Sequence, residues 1–174
     1  MRTLAATAGL LIALLPSVVV LADEASPYVV GTWEFTQGSE DTDFKFVNPT
    51  NLNLRLEYAF FSADGTKFCG CDADDFGPNK TVEYTMADEI AGKFFRPKKC
   101  GSTFGALKSV AFKQASNDNV DLDGALQVGF QERLVGAKKV ISAESGLKAI
   151  PITPATTAEI AKLHRLCVNF GAPQ

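Results

Sequence analysis

Four cysteines and a single histidine are the residues of this 174-residue chain with the widest chemistry open to them. Cys69 and Cys71 stand two apart, Cys100 follows, and His164 and Cys167 stand three apart near the C-terminus. In an oxidising compartment an even cysteine count forms disulfides, and four cysteines allow three pairings. A Cys69–Cys71 bond would close a strained small ring along one strand, so each is expected to reach Cys100 or Cys167 instead. Closing loops of about 30 to 100 residues adds roughly 3–5 kcal/mol in the chain-entropy description. The same atoms offer two sharper chemistries. A Cys69–Gly70–Cys71 dithiol would be a strong oxidant, although no thioredoxin-like βαβ pattern surrounds it. Left reduced, Cys69, Cys71 and Cys167 with His164 present thiolate and imidazole ligands suited to periplasmic copper or zinc. Oxidation of the thiols works against that set, and structural disulfides are the expectation.

Two acidic turns imitate cation loops. Asn119, Asp121 and Asp123 place oxygen ligands at alternate positions ahead of the turning Gly124, as a calcium loop begins. Phe130 stands where the bidentate Glu belongs, which removes the strongest ligand. Asp72, Asp74, Gly77 and Glu83 make a second partial match, interrupted by Phe76. Solvated turns are expected at both, with no metal and no cofactor favoured. Catalysis finds little footing: there is no Gly-x-Ser-x-Gly elbow, and no carboxylate pair separates itself from turn acids. The expectation is a chain that is not an enzyme.

The elements that must position these residues centre on Asn51–Asp72. Leu52, Leu54, Leu56, Tyr58 and Phe60 share one parity; Asn51, Asn53, Arg55 and Glu57 share the other. Successive strand side chains point to opposite faces, so this is a half-buried strand with Asn53, Arg55 and Glu57 in solvent. Asp64-Gly65 supports a tight turn, and Lys67–Cys71 returns as the partner strand. Cys69 and Cys71 then share a strand face, opposite Phe68 and Gly70. Further strands are read at 28–36, 42–47, 81–86 and 107–114, at Leu126, Val128 and Phe130 facing inward, and within 140–150. Between Ala87 and Phe104 the pattern fails. Pro97 among Arg96, Lys98 and Lys99 marks a surface connection tethered by Cys100. At the end, Thr156 and Glu159 have capping-box spacing, and Ile160, Leu163, Cys167 and Phe170 recur at helical period before Gly171. One amphipathic helix over about 156–169 is expected to lie on the β structure.

Arg2, the apolar run Leu10–Leu21 broken by Pro16, and Val20-Leu21-Ala22 ahead of Asp23-Glu24 read as a signal peptide over residues 1–22, with Asp23 the mature N-terminus. The remaining 23–174 is one domain's length. It carries 16 Lys and Arg against 20 Asp and Glu, a net charge of −4, which argues against nucleic acid as a partner. No later stretch reads as a bilayer span, so no stable membrane insertion is expected after cleavage. Thirteen Phe supply aromatic area for a filled core.

Two resemblances follow from these residues. The Asn48-Pro49-Thr50 turn, the long alternating strand, Asp64-Gly65 and the Gly77-Pro78-Asn79 turn resemble immunoglobulin-like β-sandwich modules of secreted bacterial proteins, over about residues 42–86. That resemblance implies a sandwich and no particular site. Gly31-Thr32-Trp33 is similar to the lipocalin Gly-x-Trp signature, which would imply a closed barrel with Trp33 at its floor and an apolar ligand inside. The expected fold is the antiparallel sandwich with one C-terminal helix, the barrel being the alternative. The expected function is an exported, non-catalytic module acting on an unidentified protein or envelope component through its surface. A carrier of a small apolar ligand and a copper or zinc protein are the rivals.

Overall fold

The computed structural model describes residues 25–116 and 119–171; the expected signal peptide lies outside them. The chain opens with β1 (Tyr28–Glu34), β2 (Glu40–Val47), β3 (Leu54–Ser62), β4 (Phe68–Phe76) and β5 (Thr81–Thr85). Two short helices follow, α1 (Met86–Ala91) and α2 (Pro97–Cys100), then β6 (Phe104–Phe112) and a small hairpin, β7 (Gln114–Ser116) with β8 (Asn119–Asp121). It ends with β9 (Val128–Val135), β10 (Val140–Gly146), β11 (Lys148–Ala149) and α3 (Pro154–Phe170).

The strands make a five-stranded sheet, β11-β1-β6-β3-β4, and a four-stranded sheet, β10-β9-β2-β5, with every pairing antiparallel. Both sheets end in edge strands, so the fold is a sandwich and the closed-barrel alternative falls. Phe44 and Phe46 of β2 meet Leu54, Leu56, Tyr58 and Phe60 of β3 between the sheets. The rings interleave, with Phe46 and Tyr58 centroids 5.8 Å apart and Phe44 and Phe60 6.4 Å apart. The interior is filled rather than hollow.

A second apolar layer lies on the outer face of the five-stranded sheet. Ile160, Leu163 and Cys167 of α3 press on Ala59, Phe61, Cys71, Ala73, Val110 and Phe112. This layer corrects the expected wet face of β3. Asn53 is exposed and Arg55 half-buried, but Glu57 is only 3 % exposed, because α3 lies over the strand's second half. The helix also starts earlier than its sequence implied. Thr153 is the N-cap, its hydroxyl accepting from the Thr156 N–H while Thr156 Oγ1 accepts from the Thr153 N–H, and Pro154 opens the first turn.

Three further expectations are corrected. Cys69 and Cys71 do not share a face. Phe60 pairs with Gly70 and Phe61 with Phe68, so Cys69 is the extra residue of a β-bulge. The bulge breaks the alternation and sends Cys69 into the inter-sheet core and Cys71 beneath α3. On β9, it is Gly129 and Gln131 that stand opposite the inward Phe46 and Phe44; Val128 and Phe130 are half-buried and Leu126 is exposed. The alternation is present with its parity reversed from the expected one, because Leu147 fills the space over Gly129. The 87–104 segment is not a plain surface connection. Thr85 caps α1 by accepting from the Asp88 N–H, and Phe95 is buried in the core. Gly70 makes this possible, since a Cβ there would collide with the backbone of Phe94 and Phe95.

Candidate functional site

The four cysteines form two disulfides, Cys69–Cys100 and Cys71–Cys167, each with Cα atoms 5.3 Å apart. The Cys69–Cys71 dithiol and the copper or zinc set are therefore overturned: all of their sulfurs are bonded to carbon and to sulfur. His164 turns inward under α3 instead, with Nδ1 at 3.0 Å from both Glu57 oxygens. A carboxylate offers only acceptors, so Nδ1 carries the hydrogen of this buried pair. Burial pushes the Glu57 carboxyl up, and the hydrogen bond and charge of His164 pull it back.

Neither acidic turn gathers its oxygens. Asp121 and Asp123 face Lys113 at 3.3 and 3.4 Å, while the Asp123 N–H donates to Asp121 Oδ1 at 3.0 Å; the cation opposite these carboxylates is the chain's own. Asn119 is exposed. In the second set Asp72 accepts from Tyr58 and Asp74 from Tyr84, whereas Glu83 sits by Lys45 on the other sheet. Among the described residues no cluster of three His, Cys, Asp or Glu has a metal-holding arrangement.

A concave feature sits where β1 and β9 end and β2 and β6 begin. It is a cleft of about 660 Å³. Half-buried Phe35 and Ile90 supply accessible apolar lining, backed by the nearly fully buried Trp33, Phe95 and Leu134. The Trp33 indole is fixed from two sides: Nε1–H donates to the Phe61 carbonyl at 2.9 Å, and the ring meets Phe95 edge-on at 4.8 Å. Gly105 leaves room for that bond, since a Cβ there would strike both the indole and the Phe61 oxygen. The charges at the rim are matched. Asp41 accepts from Lys139 at 3.1 Å, and Arg133 reaches Glu34 at 2.9 Å and Glu40 at 2.7 Å.

Behind the α1 wall lies a chain of hydroxyls and carboxyls. Tyr58 Oη is 3.0 Å from Asp72 Oδ2 and 3.1 Å from Glu89 Oε1. One phenol proton serves one acceptor. Burial and the Asp72 charge push Glu89 up to about 8, so at neutral pH its carboxyl is protonated and donates to Tyr58, which in turn donates to Asp72. The Glu89 carbonyl also accepts from the N–H groups of Phe94 and Phe95, at 2.9 and 3.1 Å. Glu89 thereby fixes the turn that carries Phe95 into the cleft.

Sequence reading points to two long-range disulfides without a Cys69–Cys71 bond and leaves the two remaining pairings open; it misses the cleft. Trp33 and Phe35 were legible as strand aromatics; Ile90 and Phe95 lay in the stretch without a pattern, and nothing local joined them to Leu134. No family model matches the chain, and no curated protein and no solved structure is significantly similar to it.

Proposed function

We propose that this chain is an exported, non-catalytic binding module whose site is the cleft at the end of the sandwich, and that it takes a small uncharged apolar or aromatic group. The cleft carries the reading. Its volume falls within the roughly 300–1,000 Å³ typical of ligand pockets. Its walls are aromatic and aliphatic, and its rim charges are already paired, so a charged ligand gains little there. The filled inter-sheet core speaks for an opening at the surface rather than a lipocalin-like interior. The two disulfides fit an oxidising compartment and the signal-peptide reading of residues 1–22. Non-catalytic action is favoured because the one imidazole is held in a buried pair and all four cysteines are oxidised.

The chain holds one tryptophan, Trp33, so selectively excited tryptophan emission comes from a residue at this site. Titration with neutral N-phenyl-1-naphthylamine is expected to quench Trp33 by energy transfer, saturating at one probe per chain. Ile90→Asp is expected to abolish the quenching while circular dichroism stays unchanged. Probe binding that ignores Ile90→Asp, or no saturable quenching at all, would overturn the cleft as the site.

A further inference from the structure

Lys93, Arg96, Lys98 and Lys99 fall within seven residues of the connection between α1 and β6. Residues 91–117 hold six Lys or Arg and no Asp or Glu, whereas the rest of the sequence holds eleven against twenty. Two of the six are neutralised, Lys108 by Glu159 and Lys113 by Asp121 and Asp123. Among the described residues no carboxylate pairs with the other four. An acidic protein thus carries one local block of positive charge that no carboxylate of the described residues compensates.

The block is built rather than loose. The Arg96 guanidinium lies 4.7 Å and the Lys99 ammonium 5.6 Å from the centroid of the Phe170 ring. Phe170 itself rests edge-on against Phe68. The Arg96 N–H donates to the Cys69 carbonyl at 3.1 Å, and the Cys69–Cys100 bond closes the segment onto β4. An exposed aromatic adjoins it. Phe104, four residues past Cys100, is 57 % exposed. Its neighbour Gly105 faces inward against Trp33, so alternation along β6 turns Phe104 to the outer side of the sheet, where α3 and Phe170 lie.

We propose that this face is a docking surface for a membrane of anionic phospholipid, with the four cations on the headgroups and the Phe104 ring at the interface. Charge complementarity and the adjoining ring choose this partner together. A surface of many phosphates meets several exposed cations at once, each worth about fivefold in partitioning. An aromatic ring beside them finds its place at the headgroup level. A lone phosphate would meet one or two of these side chains and make no use of Phe104. Attachment is peripheral and reversible, and no residue enters the hydrocarbon as a span.

The test is cosedimentation of the disulfide-bonded chain with phosphatidylcholine vesicles containing phosphatidylglycerol, against phosphatidylcholine alone. No cleft ligand is present, so the outcome is independent of the cleft reading. Binding is expected only to the anionic vesicles, and it should be released as salt shortens the screening length from ~10 Å towards ~3 Å. Lys93→Gln with Lys98→Gln should lower partitioning about 25-fold at low salt, at about fivefold per charge. Lys138→Gln with Lys148→Gln, the same charge change elsewhere, should leave it unchanged. Phe104→Ser should weaken binding without altering its salt dependence. Equal losses in the two double variants, equal binding to neutral vesicles, or no binding would overturn the proposal. So would retention on a sulfated polysaccharide at a salt concentration where the vesicles are released, which would make the partner a glycan.

Discussion

The two faces of the five-stranded sheet bury side chains by different means. The inner face meets another sheet through large rings: Trp33, Tyr58, Phe60 and Phe76, with Phe44 and Phe46 opposite. The outer face meets one helix through small and large side chains together, Ala59, Ala73 and Val110 beside Phe61 and Phe112, and depends on two fixed links, Cys71–Cys167 and Glu57–His164. A single helix covers less apolar area than a sheet, so its hold on the domain depends more on specific bonds. Each face receives one disulfide, and the β-bulge at Cys69 makes that division possible.

The largest expected effect separates the two bonds. Cys71–Cys167 spans 96 residues and Cys69–Cys100 spans 31, so the chain-entropy description gives about 4.7 and about 3.7 kcal/mol respectively. Paired Cys→Ser variants at Cys71 and Cys167 should therefore lose more stability in urea unfolding than those at Cys69 and Cys100. The loss should also be local: hydrogen exchange should show α3 opening while β2 and β9 stay protected. Uniform loss of protection across both sheets would mean that the outer face is not a separate layer.

How much of this division was legible in the sequence differs by face. The inner face was read almost residue by residue, because a strand covered on one side writes its burial as alternation: Leu54, Leu56, Tyr58 and Phe60 are all buried. The outer face was read as wet because Asn53, Arg55 and Glu57 are polar. Their types carry no sign that a helix about a hundred residues later brings His164 to Glu57. The bulge was invisible for a related reason. Phe68, Cys69, Gly70 and Cys71 fit a regular strand, and only the pairing to Phe60 and Phe61 shows one residue too many. The terminal helix was found from its period, and its cap was misplaced because Thr153, Thr156 and Thr157 all offer capping hydroxyls. The cleft draws its walls from segments as distant as Trp33 and Leu134, so no local pattern could announce it.

A second comparison lies within β3. Leu56→Ala removes core volume from the inner face and should cost about 2–5 kcal/mol. Glu57→Ala, one residue away on the outer face, leaves His164 without its acceptor under α3 and should cost about 1–3 kcal/mol. Arg55→Ala, whose ion-pair partner Asp75 is exposed, should stay within about 0.5 kcal/mol. Thermal or urea unfolding orders the three. If Glu57→Ala proved as mild as Arg55→Ala, α3 would not seal the outer face as the geometry requires.

The smallest effect is a slope, and it contrasts two of the buried glutamates, Glu89 and Glu57. Glu89, behind the inner core, is pushed up to about 8 from an ordinary value of 4.5, with burial the main cause and the nearby Asp72 charge the second. The folded state therefore holds a proton that the unfolded chain has released between about pH 4.5 and 8. A group with a raised folded pKa gives its full stabilisation below the unfolded value and loses it as pH climbs through the folded one. Stability should fall across that window with a slope of up to about 1.4 kcal/mol per pH unit from this residue. Glu89→Gln keeps a donor for Tyr58 and cannot titrate, so urea midpoints from pH 5 to 8 should flatten. Glu57 is also pushed up by burial, but His164 pulls it back, so Glu57→Gln should change the slope less. A Glu89→Gln protein with the parent's slope would place the proton elsewhere and remove the hydroxyl–carboxyl chain as the inner face's counterpart to the Glu57–His164 pair.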